Sequence, residues 1–280
     1  MPGYTKSTDG IFRPMFSIEH RSDEYQESGF EVLRAMQESH FWYQGRHRFL
    51  LSAVNHHIPR SPHSLSAIDL GGGIGGWLNY FFRHQSKIKL SLALGDSSLV
   101  ALKMAALVLP QSTQRYQVDL MKLDMNEKWD CIFLLDVIEH LPYDLQVFDQ
   151  VYEALKPGGY LFVTAPAFPQ FWSYNDDMAL HLRRYRRNDF VKLAQNSGMI
   201  MCDARYFMFY LSPLYLFSRM NTGFENMTIV QKKELLIRQH QIPHPLINKV
   251  LSVIFSAETP IGHWIKFPWG TSILGVFKKP

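Results

Sequence analysis

The chain has 280 residues, a formal net charge of +4 and 46% hydrophobic residues, enough for one large domain or a domain carrying a sizeable insertion. So mild a charge argues against a nucleic-acid binder, and two cysteines, Cys131 and Cys202, exclude a disulfide framework and fit a reducing compartment. The opening MPGYTKSTDGIFRPMF lacks a signal-peptide core, and the longest apolar stretch, Tyr206 to Phe217, is short and broken by Pro213, so a soluble, cytoplasmic protein is expected.

Residues 1 to about 28 are polar and read as a loose arm, followed by a helical pattern from Phe30 to His56 and a proline-broken loop, His56 to Ser64. Short apolar runs then alternate with longer helical patterns, the mark of parallel βα units. LSAIDL predicts a first strand, followed by the helix WLNYFFRHQ. IKLSLALGD predicts a second strand, followed by SLVALKMAALVL as a helix. RYQVD is a third strand, WDCIFLLDV a fourth of the kind buried on both faces, and LQVFDQVYEAL a helix stopped at KPGG. YLFVTAPA is the fifth strand, RNDFVKLAQNSG a helix, IMCDARYFMFY the sixth strand and TSILGVFKK the last. The expected division is an N-terminal arm and helical cap (1–60), a core (61–211 and 269–280) and a helical insertion (212–268).

Between the first strand and its helix, five of the six residues from Gly71 to Gly76 are glycine. A strand running through glycines into a helix is a nucleotide-binding turn, because a residue without Cβ accepts positive φ and lets a ligand approach the main chain. Gly71, Gly73 and Gly76 fit G-x-G-x-x-G, while Asp69, Gly71, Gly73 and Gly75 fit D-x-G-x-G-x-G, so the glycines alone do not name the ligand. Asp96 ends the second strand about twenty residues past the last glycine, where a carboxylate accepts from a ribose diol. Asp119 in QVDLM stands at the third strand end, placed to accept from an adenine amino group, and Asp136 leaves the fourth strand beside the same crevice.

AIDLGGGIGG, LGDSS, WDCIFLLDVIEHLP and EALKPGGYLFVTAP, in that order over residues 65–166, resemble the class I S-adenosylmethionine-dependent methyltransferases. Gly72 departs from the pattern, where relatives often carry cysteine, with no consequence expected for the fold. The resemblance implies a Rossmann-like α/β fold: a doubly wound seven-stranded sheet whose last strand is antiparallel. HFWYQGRHRFL and APAFPQFWSYNDDMALHLRRYRR are similar to a narrower bacterial branch with diverse acceptors. The implied S-adenosylmethionine site comprises Trp42, Tyr43, Arg46, Asp69, Gly71, Gly73 and Gly75, with Asp96, Ser97, Asp119, Leu120 and Asp136.

Methyl transfer from a sulfonium requires alignment and exclusion of water, and aromatic rings suit a sulfonium's surroundings. Trp42 and Tyr43 are candidates for such a lid, or pack the N-terminal helix on the core. An oxygen or nitrogen acceptor needs a base, for which His140 and His181 are candidates, a structural role being the alternative for each. Arg183 and Arg184, beside Tyr185 and followed by Arg186 and Arg187, suit a phosphorylated acceptor, or form a solvated basic face; Arg46 is placed to join them. The aromatic, methionine-rich insertion suits a roof over a large apolar acceptor (lipid, prenyl, polyketide or glycan-linked), with a peripheral membrane contact, a dimer contact and plain packing as alternatives.

No metal site is expected, since His56, His57 and His63 lack supporting ligands in their loop. Two rival readings stand beside the methyltransferase: a nicotinamide-dependent oxidoreductase, on the strength of G-x-G-x-x-G, and a non-catalytic scaffold on the same fold.

Overall fold

The computed structural model describes residues 3–18, 29–85, 88–218, 227–228, 231 and 241–280. Its first strands, β1 (Tyr4–Lys6) and β2 (Ile11–Pro14), form an antiparallel hairpin. The arm expected to be loose is therefore ordered over this stretch. Gly10 turns the chain at positive φ, Asp9 accepts from the Ile11 amide, and Tyr4 is buried with its hydroxyl donating to the Leu123 carbonyl at 2.8 Å. Residues 19–28 of that arm lie outside the described residues.

The expected single cap helix is two, α1 (Gly29–Ser39) and α2 (Phe41–His57). His40 takes an extended conformation as N-cap of α2, its ring accepting from the Trp42 amide, and Asn248 bridges the break by accepting from Phe41 N and donating to Ser39 O. Then follow β3 (Leu65–Leu70), α3 (Gly76–His84), β4 (Leu90–Asp96), α4 (Leu99–Ala105), β5 (Gln114–Gln117) and β6 (Trp129–Leu135). Helix α5 (Asp144–Ala154), strand β7 (Leu155–Pro166), short helix α6 (Tyr174–Met178), helix α7 (Arg187–Ser197) and strand β8 (Ile200–Phe207) come next. The chain ends with α8 (Ser212–Phe217), α9 (Pro245–Trp264) and β9 (Ser272–Lys278).

The sheet order is β1-β2-β5-β4-β3-β6-β7-β9-β8. Strands β3 to β7 pair in parallel, and β9 runs antiparallel between β7 and β8, so the expected seven-stranded sheet is present, extended at one edge by the hairpin. Period-2 alternation fills both faces. Ile68, Ile132 and Leu134 turn toward Phe148 and Val151 of α5, whereas Ala67, Cys131 and Phe133 turn toward Phe49 of α2 and Trp77 of α3. KPGG belongs to β7, as a bulge between the pairs Trp129–Leu155 and Cys131–Tyr160.

From β3 the chain winds out through β4 to β5, then crosses back to β6 on the other side. The ends of β3 and β6 thus flank a topological switch point, where open α/β sheets leave a crevice.

Of the expected insertion, α8 and α9 are described, while residues 219–226, 229–230 and 232–240 lie outside the described residues. Helix α9 packs along α2 so closely that a Cβ on Gly45 would come within 2.0 Å of the Phe255 ring. Its buried Glu258 accepts from the Tyr210 amide. The outward side of α9 exposes Leu246, Val250, Val253 and Trp264. Among the described residues no helix is long and apolar enough to cross a membrane.

Candidate active site

The glycine turn leaves β3 with Gly71, Gly73 and Gly75 all at positive φ, and Gly71 and Gly72 donate back to the Gly95 carbonyl of β4. A Cβ on Gly73 would meet no protein atom within 4 Å beyond its chain neighbours, so open space lies against bare main chain at that residue. Gly72 faces the other way: its Cβ would lie 2.4 Å from Asp69 Oδ2 and 2.6 Å from Leu94 Cδ1. The departure expected to be neutral is therefore matched here to a tightly packed Asp69.

Asp69 is buried under this turn, and its Oδ1 has no hydrogen-bond partner among the described residues. Burial, with the charge of Asp96 adding and that of Arg46 opposing, pushes its carboxyl up to about 8. Asp96, at the tip of β4, accepts from the Gly73 and Ser98 amides at 2.8 Å each and so ties the turn to the second strand end. Ser97 beside it offers its carbonyl to Gln117, and Asp119, past β5, accepts from the Met121 amide at 2.8 Å, with Leu120 packed against the core. Asp69, Asp96 and Asp119 thus stand at or just past the ends of the neighbouring strands β3, β4 and β5.

Asp136 leaves β6 at φ +57, an uncommon conformation for a residue with a side chain. It is held there by an ion pair with Arg46 of α2 and a hydrogen bond from Thr164 Oγ1. The Arg46 guanidinium lies 5.0 Å from the Trp42 ring centroid and 5.4 Å from that of Tyr43, and donates to Nε2 of buried His47. Trp42 and Tyr43 thus flank an arginine. Arg46 Nε is buried and has no partner among the described residues.

Beyond Asp136, a short turn (Ile138–His140) carries Glu139 and His140 toward the segment that follows β7. There the His181 ring meets the His140 ring edge-on, centroids 4.7 Å apart. His181 Nδ1 lies 2.9 Å from Asp176 Oδ1, and Arg184 grips both oxygens of Asp176 at 2.7 and 2.9 Å. Burial alone would raise the Asp176 carboxyl, but the bonds from His181 and Arg184 outweigh it and hold it at about 2. With Asp176 ionised, Nδ1 of a neutral His181 carries the proton and Nε2 the lone pair. Glu139 is fully buried, neither carboxyl oxygen has a hydrogen-bond partner among the described residues, and burial with the charges of Asp136 and Asp176 pushes it well above the usual carboxylate range.

In the arginine run, Arg183 and Arg184 already have protein partners, while Arg186 and Arg187 are exposed. Arg184 is buried on Asp176 and the Ala167 carbonyl, Arg183 pairs with Asp144 and the Pro142 carbonyl, and the Tyr185 hydroxyl donates to Asp144. Arg46 pairs with Asp136 instead of joining them. Sequence reasoning assigned no role to Glu139, Asp176, His47 or Thr164. Only Asp176 left a local signal, as the fourth residue of the capping box Ser173–Asp176.

Residues 38–200, more than half of the chain, match the family model described as a methyltransferase domain. No curated protein matches the sequence significantly. Among solved structures, one from Galdieria sulphuraria described as a sarcosine dimethylglycine methyltransferase is 18% identical, with 84% of this chain and 85% of that one covered and a TM-score of 0.54. A chain from the complex of the Haloferax volcanii Trm112 methyltransferase activator with a methyltransferase is 12% identical, covering 94% and 100%, at a TM-score of 0.59. Haemonchus contortus phosphoethanolamine N-methyltransferase 2, solved with S-adenosyl-L-methionine, is 16% identical at a TM-score of 0.60; 96% of this chain is covered, and it spans 62% of that protein. At these identities the likeness is one of fold.

Proposed function

The chain belongs to the methyltransferase-domain family, and from that premise we propose that it is an S-adenosylmethionine-dependent methyltransferase acting on a small-molecule acceptor. One observation carries the cofactor assignment. A buried acceptor, Asp69 Oδ1, and a buried donor, Arg46 Nε, interact electrostatically, each atom without a hydrogen-bond partner among the described residues, while the main chain of Gly73 in the adjoining turn faces open space. An amino-acid end bearing one ammonium and one carboxylate satisfies both, and an apolar or purely anionic ligand satisfies at most one. Asp96 stands at the end of β4, where a carboxylate accepts from a ribose diol, and Asp119 stands at the next strand end for the base.

When bound, S-adenosylmethionine supplies a sulfonium methyl group. This chain's residues then have to orient the acceptor and exclude water, which can supply about 7–11 kcal/mol of the barrier. We place the acceptor over Glu139, His140 and His181, where two imidazoles offer lone pairs and Asp176 fixes one ring. Support for an apolar acceptor comes from α8, whose Tyr215 reaches Arg184 and whose Leu214 and Phe217 are exposed. A phosphorylated acceptor finds less support, because Arg183 and Arg184 are already paired.

Calorimetric titration with S-adenosylhomocysteine tests the reading. One equivalent binding in the micromolar range is expected for the intact chain and a loss of roughly tenfold or more for Asp96→Ala, in line with removing a charge-assisted hydrogen bond. No binding by the folded wild-type chain would overturn it.

A further inference from the structure

The charges of the acceptor side can be paired off, with one left over. Asp136 is matched by Arg46, and Asp176 by Arg184. Glu139 is the remainder: it is fully buried and makes no hydrogen bond through either oxygen among the described residues. A bare carboxylate in that position costs several kcal/mol. Protonation removes the charge but leaves a buried hydroxyl with no acceptor, so it relieves only part of the cost.

A cation relieves all of it, and the neighbours are of the right kind. One ligand atom each from Glu139, His140 and His181 lies within 4.8 Å of the other two. Ligands bound at about 2.0–2.2 Å lie roughly 3–4.4 Å apart around one ion, so side-chain shifts of about an ångström complete the set. The Asp176 carboxylate already holds His181 Nδ1, which leaves Nε2 to coordinate, the arrangement in which a second carboxylate orients a metal-binding imidazole. Glu139 is buried while His140 and His181 are partly exposed, so the remaining positions lie on the exposed side of the two imidazoles.

We infer that Glu139, His140 and His181 form a binding site for one divalent transition-metal ion. Two imidazoles and one carboxylate favour Mn²⁺, Fe²⁺, Co²⁺ or Zn²⁺ over Mg²⁺ and Ca²⁺, which prefer oxygen ligands throughout. The expectation of no metal considered the histidines near residues 56–63; this set is joined only by folding, with forty residues between His140 and His181. The ion's role rests on the methyltransferase reading: the open positions suit an acceptor with one or two hydroxyl groups, held by the metal and made more acidic by it.

The test uses the full chain, stripped with a chelator and titrated with MnCl₂ by calorimetry and by Mn²⁺ electron paramagnetic resonance. One equivalent should bind to wild type, and Glu139→Gln and His140→Gln should each weaken binding roughly tenfold to a hundredfold. Circular dichroism identifies any variant that fails to fold, in which case the other, the partly exposed His140→Gln above all, decides. Wild type that binds none of Mn²⁺, Co²⁺ and Zn²⁺, or folded variants that bind Mn²⁺ like wild type, would overturn the site. A parallel titration with S-adenosylhomocysteine separates the two ideas: cofactor binding without metal sinks only the ion, and metal binding without cofactor supports the ion while sinking the methyltransferase.

Discussion

Asp69→Asn removes one proton-binding site while keeping the shape of the side chain. In the folded chain the Asp69 carboxyl titrates at about 8 against a usual 3.8, because burial and Asp96 outweigh Arg46, the charged groups facing it from β4 and α2. Between those values the native state holds a proton that the unfolded chain has lost, so stability must fall as pH rises through the window. The slope for one proton is about 1.4 kcal/mol per pH unit, which gives roughly 2.7 kcal/mol between pH 5 and pH 7. Asparagine has no such proton. The unfolding free energy of wild type relative to Asp69→Asn should therefore drop by about that amount over the same interval, other titrations cancelling in the difference. Urea unfolding of both proteins at pH 5, 6 and 7, with equal slopes in denaturant, measures it. A difference that stays constant within about 0.5 kcal/mol would show that Asp69 is not a neutral buried acid and would remove the argument that it awaits an ammonium group.

The same proton predicts a binding effect: S-adenosylhomocysteine affinity in wild type should rise with pH below 8, by up to about tenfold per unit, and Asp69→Asn should lose that dependence. Gly73→Ala should cost only about 1 kcal/mol of stability, for positive φ, since its methyl meets no protein atom, yet should weaken cofactor binding at least tenfold by filling the space; unchanged affinity by calorimetry would argue that no ligand backbone lies there. Arg184→Ala should lower stability by about 3–5 kcal/mol, because it strands the buried Asp176 carboxylate. A variant as stable as wild type with only a raised acceptor KM would return Arg184 to a substrate-binding role.

Much of the cofactor side of the crevice is written locally. The run from Ile68 through the glycines to Trp77 specifies strand, turn and helix within ten residues, and Asp96, Asp119 and Asp136 each stand at or just past the end of a run that reads as a strand by itself. The hairpin near the N-terminus was hidden because a short edge strand with one wet face has almost no pattern, and the break at His40 because Asn248, more than two hundred residues away, completes it. The acceptor side was decided by tertiary structure alone. Asp176, His181 and Arg184 follow β7, Glu139 and His140 follow β6, and Arg46 reaches Asp136 across ninety positions. Periodicity reports which face a residue turns to its own strand or helix. Charge pairing and the stranding of Glu139 depend on which loops the parallel sheet brings side by side, and only the folded chain fixes that.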